Sequence, residues 1–198
     1  MADQTKENPG RRWWRIALLS FVVLPFVPEI VVLAVAAIAN AAGCEAGSKV
    51  ACELGSVSAS GIIGSAVEAG TTIGGAFGGG VAVAWLAVCC LFITLGWTRL
   101  VSRLLLSLAV SMLFALLPYL APALSLIPST SESCTPNEGG VGPCVVYGGD
   151  IGDVAHDTVI LPWFILQGAP MALGTFVVYA IVAVILRIMA GRRATAAQ

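Results

Sequence analysis

The chain has 198 residues, of which 58% are hydrophobic and only 11% charged, against about 25% charged in an ordinary soluble domain. A soluble core of this size cannot hide so much apolar surface, so lipid has to cover it, and the length suits one membrane domain. The net charge of -1 conceals a strong asymmetry, and the absence of a solvent-facing basic domain argues against a nucleic-acid partner.

The basic residues are Lys6, Arg11, Arg12, Arg15, Lys49, Arg99, Arg103, Arg187, Arg192 and Arg193, and between them lie four apolar stretches without Lys or Arg. With both ends in the cytoplasm, every basic residue except Lys49 faces inward, which is the asymmetry of the positive-inside rule. The predicted architecture is an all-α integral membrane protein, a four-transmembrane-helix bundle with both termini cytoplasmic and two extracytoplasmic loops. A cytoplasmic segment at 1–15 leads into a transmembrane domain over 16–189, followed by a cytoplasmic tail over 190–198. Usage rich in Ala, Gly and Arg associates the chain with a GC-rich bacterium, and so with a bacterial inner membrane.

The first span is predicted at about 16–39, with Trp13 and Trp14 at its inner interface. Its apolar run is too long for a cleaved signal, and Pro25 and Pro28 interrupt it, so a retained helix is expected. Glu29 stands near its middle. An acid at bilayer centre costs about 2.5–3.5 kcal/mol on insertion scales and usually faces the bundle interior. It is expected to be neutral there, hydrogen-bonded to Gln167 or to a carbonyl freed by the prolines. The alternative is a functional proton or cation site.

The first outer loop, about 40–70, carries Cys44 and Cys52. The second span is predicted at about 71–95. Val81 to Leu95 alone is too short for the roughly 20 residues a crossing needs, so the glycine-rich stretch before it supplies the outer half. Gly70, Gly74, Gly78 and Ala82 recur at four-residue spacing, with Gly75 and Gly79 on an adjacent track. Small residues four apart let helix backbones approach closely in lipid. Whether 61–70 is helix, re-entrant segment or loop stays open. Cys89 and Cys90 read as small buried hydrophobes.

The third span, about 104–127, is uncharged, and Pro118, Pro122 and Pro128 predict a kink in its outer half. The second outer loop, about 128–158, carries Cys134 and Cys144, acids including Glu132 and Glu138, and the stretch from Asp150 to Asp157 with the sole His156. That stretch matches no calcium loop and is expected to cap the fourth span, with Asp157 or Thr158 at its N-cap. The fourth span, about 159–186, should bend at Pro170. No catalytic triad, phosphate loop or zinc spacing is present, and no metal or cofactor is assigned.

The four outer cysteines are expected to form disulfides, with all three pairings open. Four spans with a cysteine pair in each outer loop resemble the DsbB family of quinone-linked thiol oxidases. That resemblance implies electron flow from one pair to the other and on to a quinone. Here, however, seven residues separate Cys44 from Cys52 and the outer half holds no Arg, so structural disulfides rank first. One acid in the first of four spans resembles the small multidrug resistance transporters, which implies a proton-coupled transporter or channel centred on Glu29. The reading ranked first is a non-catalytic membrane subunit or scaffold, packing with partner membrane helices or as a homo-oligomer and presenting disulfide-pinned outer loops. The lipid bilayer is its surrounding partner.

Overall fold

A computed structural model describes residues 9–130, 134 and 139–196. Lys6, Glu132 and Glu138 lie outside them. The described chain is helical apart from loops and two small hairpins, and four of its helical segments are long and apolar enough to cross a bilayer: Pro9–Ala41, Ala59–Gly96, Leu100–Ser129 and Gly152–Arg193.

The first segment comprises α1 (Pro9–Val23), a 3-10 turn at Leu24–Phe26 and α2 (Val27–Ala41). The turn falls where Pro25 and Pro28 remove two backbone donors, because proline cannot complete the bond to the carbonyl four residues back. Glu29 thereby enters the first turn of α2, where negative groups suit the helix dipole.

The second segment begins earlier than the expected loop boundary at 70. After a hairpin of β1 (Glu53–Leu54) and β2 (Val57–Ser58), α3 runs over Ala59–Ala76, with the Ser58 hydroxyl accepting from the Gly61 amide at 3.2 Å. A serine N-cap of this kind stabilises a helix start by about 1 kcal/mol. The expected loop therefore ends at Ser58, and 61–70 is helix. A π turn at Phe77–Val81, with Gly80 at φ 100°, joins α3 to α4 (Ala82–Gly96).

Helix α5 (Leu100–Leu126) contains Pro118 and Pro122 and ends in a 3-10 turn, Ile127–Ser129. A second hairpin of β3 (Val145–Val146) and β4 (Gly149–Asp150) precedes α6 (Gly152–Ile160). A 3-10 turn at Leu161–Phe164 leads into α7, Ile165–Ala196. Asp157 and Thr158 therefore lie inside a helix and not at its cap. Ile151 occupies the N-cap, and the Thr158 hydroxyl donates to the Ala155 carbonyl at 2.7 Å. The segment predicted as a tail continues α7 as far as Ala196.

Helix α1 packs on α4 and α2 on α3, so the first two segments run antiparallel; α5 lies against α3, α4 and α7. One end of the bundle gathers basic residues. Arg11, Arg15 and Arg99 surround the α4–α5 turn, and Arg103 and Arg187 flank it. Two of these arginines satisfy carbonyls that end α4. Arg15 donates to the Gly96 carbonyl at 3.3 Å, and its guanidinium lies 5.1 Å from the Trp97 ring centroid. Arg103 donates to the carbonyls of Trp97 at 2.7 Å and Thr94 at 2.8 Å. Cations at a helix C-terminus also complement its dipole.

The glycine track faces the interior. A Cβ built on Gly70 would stand 2.5 Å from the Glu29 carboxylate, and one on Gly74 would stand 2.5 Å from the Pro118 carbonyl oxygen. One on Gly78 would meet the Phe164 ring at 2.5 Å. The Pro118 carbonyl is the group that Pro122 leaves without its helical donor, so Gly74 brings the α3 backbone to a site of interrupted hydrogen bonding. Gly168 plays the same part on α7, where any Cβ would overlap the Tyr119 side chain. Gly74→Leu is expected to destabilise the isolated protein by about 2–3 kcal/mol, because the obstructing atom is backbone and overpacking cannot be relieved by a rotamer change. Thermal unfolding in detergent, monitored by circular dichroism, checks this; a parental melting temperature would show that the contact is not tight.

Candidate functional site

At the end opposite the arginines, the two loops fold together into one cap. Gly55 at φ 73° begins the two-residue turn of the first hairpin, and Tyr147 at φ 47° with Gly148 at φ 86° forms the turn of the second. Positive φ at both central residues is the type I′ geometry that matches strand twist. Cys44 is bonded to Cys52 and Cys134 to Cys144, so each bridge closes within its own loop. Closing such short loops stabilises by about 2–3 kcal/mol per bridge in the chain-entropy account.

Backbone bonds then join one loop to the other. The Cys52 amide donates to the Tyr147 carbonyl at 3.1 Å, and the Tyr147 amide donates to the Ala46 carbonyl at 2.9 Å. Gly148 sits so close to Val50 and Ala51 that a Cβ would stand 2.5 Å from the Ala51 backbone. Cys52 and Cys144 are buried in a core shared with Val32, Ala36, Ile63 and Val67 of α2 and α3. The cap is thus continuous with the bundle.

Tyr147 is the pin. It is fully buried, and its hydroxyl donates to Asn40 Oδ1 at 2.7 Å, with the Ala36 carbonyl at 3.3 Å. Sequence reasoning passed over both Tyr147 and Asn40. The signal was the Tyr-Gly-Gly run between short β-prone stretches, which reads as a hairpin turn. Asp150 has a related role, accepting from the amides of Cys144 at 3.1 Å and Gly152 at 3.0 Å. That acid ties the second loop to the start of α6. Among the described residues, no three His, Cys, Asp or Glu side chains group closely enough to hold a metal.

Glu29 is 7% exposed and packs against Gly70 of α3, near Pro122 of α5. Its Oε2 is buried without a hydrogen-bond partner. Of the two expected partners, neither a proline-freed carbonyl nor Gln167, which is exposed on α7, bonds to that oxygen. For Gln167 the reason is register: Gly168 and Ala172 turn inward on α7, and a neighbour one residue away points about 100° round the helix. Cys89 and Cys90 are buried and free.

The chain thus combines four helical segments long and apolar enough to cross a membrane with a disulfide-bonded cap. Comparison with family models, curated proteins and solved structures gave no match.

Burial pushes the Tyr147 phenol above its ordinary value near 10. A raised phenol keeps its stabilising contribution below the unfolded value and loses it as pH climbs past 10 and through the folded value. Tyr147→Phe is therefore expected to lower stability by about 1 kcal/mol at pH 8 and to flatten the alkaline loss. Melting temperatures measured from pH 8 to 11 check both; an unchanged slope would remove Tyr147 as its source.

Proposed function

We propose that this chain is a non-catalytic integral membrane subunit or scaffold, with the basic end in the cytoplasm of a bacterium and the cap on the oxidising side. The observation that carries this reading is the cap. Two cystine loops are bonded to each other through Tyr147 and sealed onto the helices, with Cys52 and Cys144 buried. A thiol relay needs attack by an accessible thiolate on an accessible disulfide, and burial of one sulfur of each pair works against it. A rigid, solvent-facing cap suits recognition by another protein.

The partner surface within the membrane is proposed on the second glycine track. Gly70, Gly74 and Gly78 are occupied by this chain's own helices, whereas a Cβ on Gly75 or Gly79 would meet nothing within 4 Å. Open small residues four apart offer a second helix a close approach. In mild detergent the parent is expected to co-purify with a defined membrane partner or a second copy of itself. Gly75→Leu should reduce that association at least ~10-fold, about 1.4 kcal/mol, with the melting temperature of the isolated chain unchanged. A solely monomeric parent, or a Gly75→Leu variant that associates like the parent, would refute the reading.

A second reading draws support from the unpartnered Glu29 Oε2, which makes a proton-coupled transporter the runner-up. For a scaffold, Glu29→Gln is expected to keep both the parental melting temperature and the parental proton permeability in liposomes. Loss of a proton flux that the parent shows, with stability intact, would favour the transporter.

A further inference from the structure

A long groove lies open on the membrane side between α4 and α7. Its deeper part is a cavity of about 660 Å³ walled mainly by apolar residues such as Val83, Ala87, Leu91 and Val178. A second cavity of about 280 Å³ continues it toward the basic end, where Arg103 and Arg187 enter the wall. The two share Thr94, Tyr179 and Val182 and so form one groove with a neck. At the neck, Thr94 Oγ1 and Tyr179 OH are hydrogen-bonded at 3.0 Å. Among the described residues, no Asp or Glu lines either cavity.

Polarity therefore changes along the groove in the order of an amphiphile: apolar wall, hydroxyl pair, two cations. The length agrees. Val83 and Thr94 are eleven residues apart, about 16 Å of helix at 1.5 Å per residue, or half of a ~30 Å hydrocarbon core. The apolar part thus spans one leaflet, where a partner helix would need both. Arg103 is already held in place by the carbonyls of Trp97 and Thr94, and its fork of five N–H donors exceeds those two bonds. Arg187, exposed on α7, adds the second charge. Basic pockets between transmembrane helices recognise anionic headgroups.

We propose that this groove binds one anionic phospholipid from the leaflet at the basic end. Arg103 and Arg187 hold its phosphate, which in an anionic lipid has no headgroup cation such as choline to neutralise it; the Thr94–Tyr179 pair meets its ester region, and an acyl chain lies along Leu91, Ala87 and Val178. This site is independent of any protein partner and does not rest on the scaffold reading.

The test uses delipidated full-length protein in mild detergent, offered phosphatidylglycerol or phosphatidylcholine with identical acyl chains, and bound lipid counted by native mass spectrometry. Phosphatidylglycerol is expected to be retained at least ~20-fold more tightly, since each arginine contributes about five-fold. Arg187→Gln, at an exposed position, should reduce that preference about five-fold and leave the melting temperature unchanged. Gly174→Leu should displace both lipids, because it projects into the groove at a position where a Cβ meets nothing within 4 Å. Equal retention of the two lipids, an unchanged preference in Arg187→Gln, or parental lipid content in Gly174→Leu would each overturn the proposal. So would a cross-linker at Val178 that captures a second copy of the chain in place of lipid.

Discussion

Close approach to the bare glycine backbone along one face of α3 and the π turn that follows it is the constraint on which the rest of this structure depends. Gly70, Gly74 and Gly78 meet, in turn, Glu29 of α2, the Pro118 carbonyl of α5, and Phe164 in the turn before α7. Three other segments are therefore registered against a single glycine track. Lipid supplies no hydrophobic drive for helices to associate, so packing and polar contacts must hold them together. The track serves both. It lets helices approach, and at Gly74 it sets the carbonyl that Pro122 leaves without a donor inside protein, away from lipid, where unsatisfied groups cost several kcal/mol each.

The cap follows from that arrangement. Helix α3 rises from Ala59 and carries Ile63 and Val67 into the core beneath the disulfides, beside Val32 and Ala36 of α2. Tyr147 reaches from the second loop to Asn40 and Ala36 at the top of α2, so the loop is fastened to the helix that precedes the first cystine. Below this level the packing becomes aromatic: Phe77 stacks on Phe114 at 5.3 Å, and Phe21 on Trp85 at 3.8 Å. Ring pairs of this kind add about 0.5–1.5 kcal/mol beyond the area they bury.

Four apolar segments were legible from composition alone, because lipid demands unbroken hydrocarbon and the chain supplies it. The helical start at Ala59 was not. Its first three turns mix Ser60, Gly61, Gly64, Ser65 and Glu68 with the apolar residues, and that composition reads equally as loop. Only the Ser58 cap and the buried stripe Ile63, Val67 and Gly70 reveal the helix. The cystine pairings stayed open because spacing permits all three; the fold closes Cys44–Cys52 and Cys134–Cys144, each immediately ahead of its own loop's hairpin. Glu29 was recognisable as an interior residue, since its chemistry forbids a lipid face. Its neighbours were not, because a side chain's direction on a proline-broken helix depends on how far each break turns the helix that follows. That rotation put Gln167 on the outside and Gly168 against Tyr119.

The proposed orientation in the membrane rests on two arguments that share no premise. The first is chemical: disulfides persist in an oxidising compartment, and both lie in the cap. The second is electrostatic: positive charge near span ends is retained in the cytoplasm, and Arg11, Arg15, Arg99, Arg103 and Arg187 meet at the other end. Either alone is weaker. Two short cystine loops say nothing of where the other end goes, and arginines that satisfy helix carbonyls, as Arg15 and Arg103 do, have a structural reason to be there on either side. Both arguments point the same way along one bundle axis, which supports a cap outside and arginines inside. The groove between α4 and α7 inherits that direction. On the proposed orientation its basic mouth opens on the cytoplasmic leaflet, where anionic lipids create the negative surface potential that attracts cationic side chains. The charge asymmetry behind the proposed orientation also gives the groove a polarity suited to an anionic lipid.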